Sequence, residues 1–205
     1  MTVTVLGISG SPHRHGNTET LLDSFLDGAR SAGASVEKVV LKELNYTPCR
    51  GCNACHKTGD CIVKDDAPPL FDKILLADCV AVASPIYSMG ITAQLKGFID
   101  RAQYLWSRKF LLKTLTFSEE HSRRHRGIFI STSGTGQKDV FDSAFPAVRA
   151  LFHDTGFEYV AADNILANNM DTYNGIKNHP TALKEAFEKG VQVVREMEKI
   201  KSEGS

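Results

Sequence analysis

Residues 3–41 read VTVLGISGSPHRHGNTETLLDSFLDGARSAGASVEKVVL, an order that predicts a strand, a polar turn, a helix and a second strand. Residues 3–8 are apolar and rich in β-branched side chains, as strands usually are. Residues 18–32 repeat apolar side chains at helical spacing, and Gly33 can end that helix in a left-handed conformation. Residues 36–41 return to a strand pattern. A strand, a helix and a strand in this order form the repeating unit of a parallel sheet.

The same alternation continues to the end of the chain. Three further strands are predicted, at residues 79–83, 127–131 and 157–165. Four further helices are predicted, one capped by Asp66 and the others across residues 95–106, 141–152 and 181–200. Strands that alternate with helices call for a parallel sheet with helices on both faces and right-handed crossovers. We therefore predict one α/β domain over residues 1–205, with irregular segments at residues 43–65 and 108–125.

Composition and charge narrow the class of function. The chain has 24 Lys and Arg against 24 Asp and Glu, so its net charge is zero and no nucleic-acid partner is indicated. The basic run at residues 123–126 is interpreted as a solvated loop surface. No apolar run approaches the ~18 residues of a membrane span, and residues 1–10 lack the basic region of an export signal. We expect a cytoplasmic protein without a membrane partner, whose thiols stay reduced.

The polar turn at residues 9–18, here called the phosphate loop, has the features of an anion site. Its hydroxyl and amide groups belong to Ser9, Ser11, Asn17 and Thr18. Gly10 and Gly16 let successive backbone N–H groups point at one anion above a helix N-terminus. The loop lacks the Lys of a Walker motif and the GxGxxG of a dinucleotide turn, which favours a terminal monophosphate. The alternative is an ordinary polar turn between a strand and a helix.

Two other loops follow predicted central strands, at the edge where parallel sheets bind ligands. Residues 84–90 read SPIYSMG, and Pro85 stiffens a segment that could lie flat along an aromatic ring. Residues 131–136 read STSGTG and can place small side chains and N–H groups against the polar edge of a ring. Together with the phosphate loop, these segments predict a binding site for a nucleotide-type cofactor.

Four cysteines lie within one short run, PCRGCNACHKTGDC, at residues 48–61. Cys49, Cys52, Cys55 and Cys61 have a spacing that can hold a 4Fe–4S cluster from one segment. Redox-switching or free thiols, a tetrahedral zinc site and plain packing are the alternatives. The fifth cysteine, Cys79, lies in an apolar strand and is predicted to be a core residue.

The segments SGSPHRHGNT and SPIYSMGITAQLKGFIDR, together with the cysteine run, resemble the iron–sulfur flavoproteins. These belong to the NADPH-dependent FMN reductase group of flavodoxin-like folds, and the resemblance covers roughly residues 1–165. It implies a three-layer sandwich with five parallel strands in the order 2-1-3-4-5. It also implies FMN, with its phosphate at Ser9, Ser11, Asn17 and Thr18, and its ring near Pro85, Ile86, Tyr87, Ser88, Ser133 and Gly134. All four clustered cysteines would be ligands of a 4Fe–4S cluster.

The resemblance further implies a homodimer or homotetramer that takes electrons from ferredoxin or NAD(P)H and passes them to a small-molecule acceptor. Cofactors do this chemistry, so we expect no catalytic acid or base among the side chains. One alternative is a clusterless NAD(P)H-dependent FMN or quinone reductase with redox-active thiols. Another, from a different class, is an FMN-binding redox sensor that acts through a partner.

Overall fold

A computed structural model describes residues 2–203 and consists of a parallel sheet between two layers of helices. Within this range the strands are β1 (Thr4–Ser9), β2 (Ser35–Val40), β3 (Cys79–Pro85), β4 (Arg126–Thr132), β5 (Glu158–Tyr159) and β6 (Ile165–Ala167). Their order is β2-β1-β3-β4-β5, with β6 also paired to β4, and every pairing between these strands is parallel. The predicted fold class and strand order are therefore confirmed.

The helices cover both faces of this sheet. In the described range they are α1 (Asn17–Ser31), α2 (Cys55–Thr58), α3 (Ala67–Leu76), α4 (Ala93–Asp100), α5 (Gln103–Trp106), α6 (Glu119–Arg123), α7 (Phe145–Thr155) and α8 (Ala182–Glu203). A π-helical turn, Ser107–Leu111, follows α5. Among residues 2–203, no helix is both long enough and apolar enough to cross a membrane.

Alternate residues of each strand enter two separate cores, as the two-residue period of a strand requires. Val80, Val82 and Phe129 point to the core formed with α3, α4, α5 and α7. Cys79 and Ala81 point to the core formed with α1 and α8. The prediction that Cys79 is a core residue is confirmed, and burial raises the pKa of its thiol to about 12.

The fifth strand differs from the prediction. Residues 157–165 were expected to form one strand, but a 3-10 turn, Ala161–Asp163, separates β5 from β6. β5 pairs with the beginning of β4 and β6 with its end, so the two together form one interrupted edge. Alanine, aspartate and asparagine are poor strand formers, which explains the interruption at residues 161–164.

The helix predicted across residues 95–106 is divided into α4 and α5. Its N–H groups at Arg101 and Ala102 bond carbonyls three residues back, so the helix tightens there. The segment 108–125, predicted to be irregular, contains most of the π-helical turn and α6, which Ser118 caps by accepting the N–H of His121. The prediction holds for residues 112–118, which are irregular, and fails for the two helical segments, which are too short to show a clear period.

The prediction that Asp66 caps α3 is correct for its position and wrong for its side chain. Asp66 occupies the capping position, but its carboxylate accepts the N–H of Asn45 at 2.7 Å instead. Asp65 Oδ1 accepts the N–H of Ala67 at 3.2 Å, at the start of the helix. At the end of α1, Gly33 has a φ of +94°, as the sequence predicted.

Candidate functional site

Three loops at the carboxyl edge of the sheet meet at one cleft with a cavity of about 270 Å³. The cleft is lined by Ser11, His13, Gly16, Asn17, Thr18, Pro85, Ile86, Tyr87, Thr132, Gly134, Met170 and Asp171. Seven of these are predicted cofactor-binding residues: Ser11, Asn17, Thr18, Pro85, Ile86, Tyr87 and Gly134. The other three, Ser9, Ser88 and Ser133, belong to the same loops but do not line the cavity formed by residues 2–203.

The N-terminus of α1 opens into this cleft. Gly16 precedes the helix, and no side chain in the described part of the protein caps it. The first N–H groups of a helix lack internal partners and carry partial positive charge, so they attract anions. Ser9 Oγ is buried and has no hydrogen-bond partner among residues 2–203. A helix end without a cap and a buried hydroxyl without a partner both fit a phosphate group.

The other predicted phosphate-binding side chains are already hydrogen-bonded within the protein. Ser11 Oγ donates to the carbonyl of His13 at 3.0 Å and accepts its N–H at 3.2 Å. Asn17 Oδ1 accepts the N–H of Ile176 at 3.0 Å. The hydroxyls of Thr18 and Thr132 share a short hydrogen bond between α1 and β4. These contacts fix the shape of the phosphate loop. The N–H groups of Gly10, His13 and His15 are bonded as well, which leaves the first N–H groups of α1 as the main donors.

A buried carboxylate also holds the phosphate loop. Glu19, whose side chain is 0% exposed, accepts the N–H of His15 at 2.8 Å. His15 has a φ of +56°, a left-handed conformation that needs such support outside glycine. Glu19 also pairs with Lys38 at 3.0 Å and Arg14 at 3.3 Å. Burial alone would raise the pKa of Glu19, but these partners lower it below its usual value.

The second loop forms a tight turn beside the cleft. The backbones of Tyr87 and Gly90 exchange two hydrogen bonds, at 2.9 and 3.0 Å. Between them Ser88 and Met89 have φ values of +48° and +64°, so both are left-handed, as in a two-residue hairpin turn. The turn leaves the Tyr87 side chain 45% exposed at the cleft, where an aromatic ring could stack on it.

The start of α4 connects this turn to the phosphate loop. Thr92 caps the helix by accepting the N–H of Leu95 at 3.2 Å. The same hydroxyl donates to the carbonyl of Gly10 at 2.6 Å. Thr92 N–H donates to Ser84 Oγ at 3.0 Å. One buried threonine therefore joins the first two loops of the site.

The third loop pairs with a segment that the sequence analysis missed. The N–H groups of Met170 and Asp171 donate to the carbonyls of Ser133 and Gly134, at 3.0 and 3.2 Å. A Cβ at Gly134 would lie 2.6 Å from the Asp171 carboxylate, so glycine leaves room for that side chain in its present position. The run ANNMDTYNG at residues 167–175 was a usable signal, because a polar segment after an edge strand lies at the ligand-binding edge. His13 and Thr132, which also line the cleft, were not predicted either.

All four clustered cysteines line a second, smaller pocket of about 30 Å³. Cys49 and Cys52 are exposed, Cys55 is buried and Cys61 is half-buried. Burial raises the pKa of the Cys55 thiol, and the three neighbouring cysteines raise it further. The four thiols therefore share the lining of one small pocket.

A positively charged side chain, Arg101, and an aromatic side chain, Tyr104, line the cysteine pocket. Arg101, which begins the tightened turn after α4, donates to Cys61 Sγ at 3.3 Å. Gly51 N–H donates to Cys49 Sγ at 3.5 Å. Tyr104 lines the pocket, and burial raises the pKa of its hydroxyl. Four thiols with N–H donors on two sulfurs fit the chemistry of an iron–sulfur centre. This fit is one of ligand type and not of spacing, because no group of three or more His, Cys, Asp and Glu side chains among residues 2–203 is arranged to hold a metal ion.

Comparison with known proteins assigns the chain to a family. The family model for NADPH-dependent FMN reductases matches residues 3–152. An iron–sulfur flavoprotein of Clostridioides difficile is 32% identical over 163 residues, which are 77% of this chain and 69% of that protein. One from Archaeoglobus fulgidus is 42% identical over 98 residues, which are 47% of this chain and 44% of that protein. The chain spans about half the length of the archaeal relatives it matches.

The fold is also that of solved flavoproteins. An archaeal flavodoxin has a TM-score of 0.57 and 10% identity, with 96% of this chain and 99% of that chain covered. This identity is too low to indicate more than the fold. The family match and the relative from Clostridioides difficile together cover most of the chain. The chain therefore belongs to the NADPH-dependent FMN reductase family and, within it, to the iron–sulfur flavoproteins.

Proposed function

We propose that this chain is an FMN-dependent oxidoreductase that passes electrons from a reduced donor to an acceptor. The observation that supports this most is the meeting of three loops at one cleft, beside the uncapped N-terminus of α1. That helix end suits the terminal phosphate of FMN. Bound FMN would supply the redox chemistry, since its ring accepts and returns electrons.

The protein's own residues bind, orient and shield the cofactor. The N–H groups at the start of α1 would hold the phosphate together with the buried hydroxyl of Ser9. Ser11, Asn17 and Thr18 would shape the loop around it through the contacts they already make. The turn at Tyr87 and Ser88, with Pro85 and Ile86, would cover one side of the ring. Ser133 and Gly134 would meet its polar edge, and the segment 168–171 would close the remaining side.

We also propose that Cys49, Cys52, Cys55 and Cys61 hold a 4Fe–4S cluster. The shared pocket and the N–H donors to two of its sulfurs support this proposal. The alternative is a clusterless NAD(P)H-dependent FMN or quinone reductase with redox-active thiols, which the two exposed cysteines would suit.

An anaerobic purification tests both proposals at once. The absorption spectrum is recorded, and FMN, iron and acid-labile sulfide are assayed per chain. We expect flavin bands together with broad sulfur-to-iron absorption, and four irons per chain, as a 4Fe–4S cluster requires. FMN without iron and sulfide, after reconstitution, would replace the cluster with the thiol alternative. Protein that binds no added FMN would overturn the proposed function altogether.

Electron donors are tested by anaerobic reduction of the flavin. We infer that reduced ferredoxin or NAD(P)H bleaches the flavin absorption, and that oxygen, peroxide or a quinone restores it. Self-association as a homodimer or homotetramer is measured separately by sedimentation. If the FMN-loaded protein transfers electrons between donor and acceptor only after a partner protein is added, the result would favour an FMN-binding redox sensor.

A further inference from the structure

Arg101 is a buried cation whose side-chain hydrogen bonds all go to the cysteine loop, defined here as residues 43–65. Its side chain is 2% exposed, and Nη1 pairs with Asp65 at 2.6 Å. Nη1 also donates to the carbonyl of Thr47 at 2.8 Å, and Nη2 donates to that of Val63 at 3.3 Å. These partners lie on both sides of the four cysteines along the chain. A single side chain therefore ties the two ends of the loop to the end of α4.

One of these contacts reaches a sulfur atom. Arg101 Nη2 lies 3.3 Å from Cys61 Sγ, within hydrogen-bond distance for sulfur. Asp65, which is 9% exposed, balances the cation, so the buried charge is paired. Arg101 Nε is buried without a hydrogen-bond partner among residues 2–203. Burial of this N–H without a partner costs free energy, which the other contacts of the guanidinium must offset.

We propose that Arg101 is a positioning residue of the cysteine pocket and that its N–H···S contact with Cys61 raises the reduction potential of an iron–sulfur centre held there. The inference rests on the proposed cluster. Reduction adds negative charge to such a centre and its thiolates. A hydrogen bond to a ligand sulfur and a nearby positive charge favour the more negative state, so both raise the potential.

The chain offers a matched control in Arg108. This arginine also binds the cysteine loop, since Nε donates to the carbonyl of Gly59 at 2.7 Å and the guanidinium pairs with Asp60. Its hydrogen bonds go to these oxygens, whereas Arg101 also bonds a sulfur. Replacing either arginine loosens the loop, and replacing Arg101 alone removes the sulfur contact.

The experiment compares wild type, Arg101→Gln, Arg101→Lys and Arg108→Gln after anaerobic reconstitution. Iron, sulfide and FMN are assayed per chain, and the cluster midpoint potential is measured by redox titration followed by electron paramagnetic resonance. We expect Arg108→Gln to lower the potential less than Arg101→Gln does, because the Arg108 charge is 34% exposed, paired with Asp60 and bonded to no sulfur within residues 2–203. Arg101→Gln should have a more negative potential than wild type. Arg101→Lys should have an intermediate potential, because lysine keeps the positive charge but lacks the planar guanidinium with its several N–H donors.

Loss of iron is informative as well. Iron lost from Arg101→Gln but retained in Arg108→Gln, with FMN content unchanged in both, supports the positioning role. Wild-type iron content and potential in Arg101→Gln would overturn it. Equal loss of iron from both Gln variants would also overturn it, because loop packing would then explain the loss. Wild-type protein that binds FMN but no iron or sulfide would instead reject the cluster itself, which distinguishes the two failures.

Discussion

Glu19 is a carboxylate buried beside a loop that we expect to bind a phosphate. Its charge is balanced by Lys38 and Arg14, and one oxygen holds the N–H of His15 in a left-handed turn. A negative charge here would repel a phosphate if it stood alone. Paired in this way, it supports the turn that leads into the uncapped N-terminus of α1.

Replacing Glu19 with Gln should weaken FMN binding without a comparable effect on riboflavin, which lacks the phosphate. Hydrogen bonds to a charged group contribute about 1.5 kcal/mol or more, which corresponds to a roughly tenfold higher Kd for FMN. Fluorescence titration with both flavins measures the effect. Glu43→Gln is the control, since Glu43 pairs with Arg14 at 3.1 Å but is 61% exposed. Equal weakening of both flavins would show that Glu19 acts on the whole fold.

At the scale of elements, α1 and α8 pack closely through two glycines. A Cβ at Gly190 would lie 2.1 Å from the carbonyl oxygen of Phe25. A Cβ at Gly28 would lie 2.0 Å from that of Phe187. Each glycine therefore faces the backbone of the opposite helix, and a methyl group at either position would force the helices apart.

Gly190→Ala should destabilise the protein, although alanine is normally the better helix former by about 1 kcal/mol. Overpacking against a rigid backbone costs about 1–3 kcal/mol or more, so the contact outweighs the propensity. Denaturant unfolding measures the change, with Glu188→Ala on the exposed side of α8 as the control. A more stable Gly190→Ala variant would contradict this close packing.

The helices and strands differ in how far the sequence could predict them. Some elements are predicted by local sequence signals, and the structure confirms them. These signals are the apolar runs of β1, β3 and β4, and the helical spacing of apolar residues along α8. The division between α4 and α5 is not a local signal, because it coincides with contacts of Arg101 to residues 40 and 54 positions earlier in the chain. The segment 168–171 has a usable local signal in its polar residues, but its exact place in the cleft depends on pairing with residues 133–135.

At the scale of the whole molecule, Asp78 joins two strands and the last helix. Its carboxylate accepts the N–H and the hydroxyl of Thr4, at 2.7 and 2.8 Å, and pairs with Lys201 at 2.7 Å. Burial alone would raise the pKa of Asp78, but these partners lower it below its usual value. The carboxylate thus links β1, the start of β3 and α8.

The lowered pKa of Asp78 determines how the stability of the fold depends on pH. The carboxylate stabilises the fold above its unfolded pKa of about 3.9, and this contribution is lost as the pH falls through the lower folded pKa. Asp78→Asn should therefore reduce the free energy of unfolding at pH 7 by about 1.5–3 kcal/mol. The difference from wild type should shrink below about pH 4.

Denaturant unfolding at a series of pH values measures this difference. Asp27→Asn is the control, because Asp27 pairs with Arg30 at an exposed position, where such pairs contribute little. A constant difference between Asp78→Asn and wild type from pH 7 to about pH 3 would exclude the ionised carboxylate as its source.

The helix α4 has one end at each candidate site, with Thr92 bonded to Gly10 and Arg101 bonded to Cys61. Each residue added to a helix rotates the rest of that helix by about 100° and advances it by about 1.5 Å. A one-residue insertion or deletion within Ala93–Asp100 would therefore rotate the guanidinium away from the sulfur while leaving the threonine in place. We therefore expect related chains to keep the number of residues in α4, although the side chains on this helix vary.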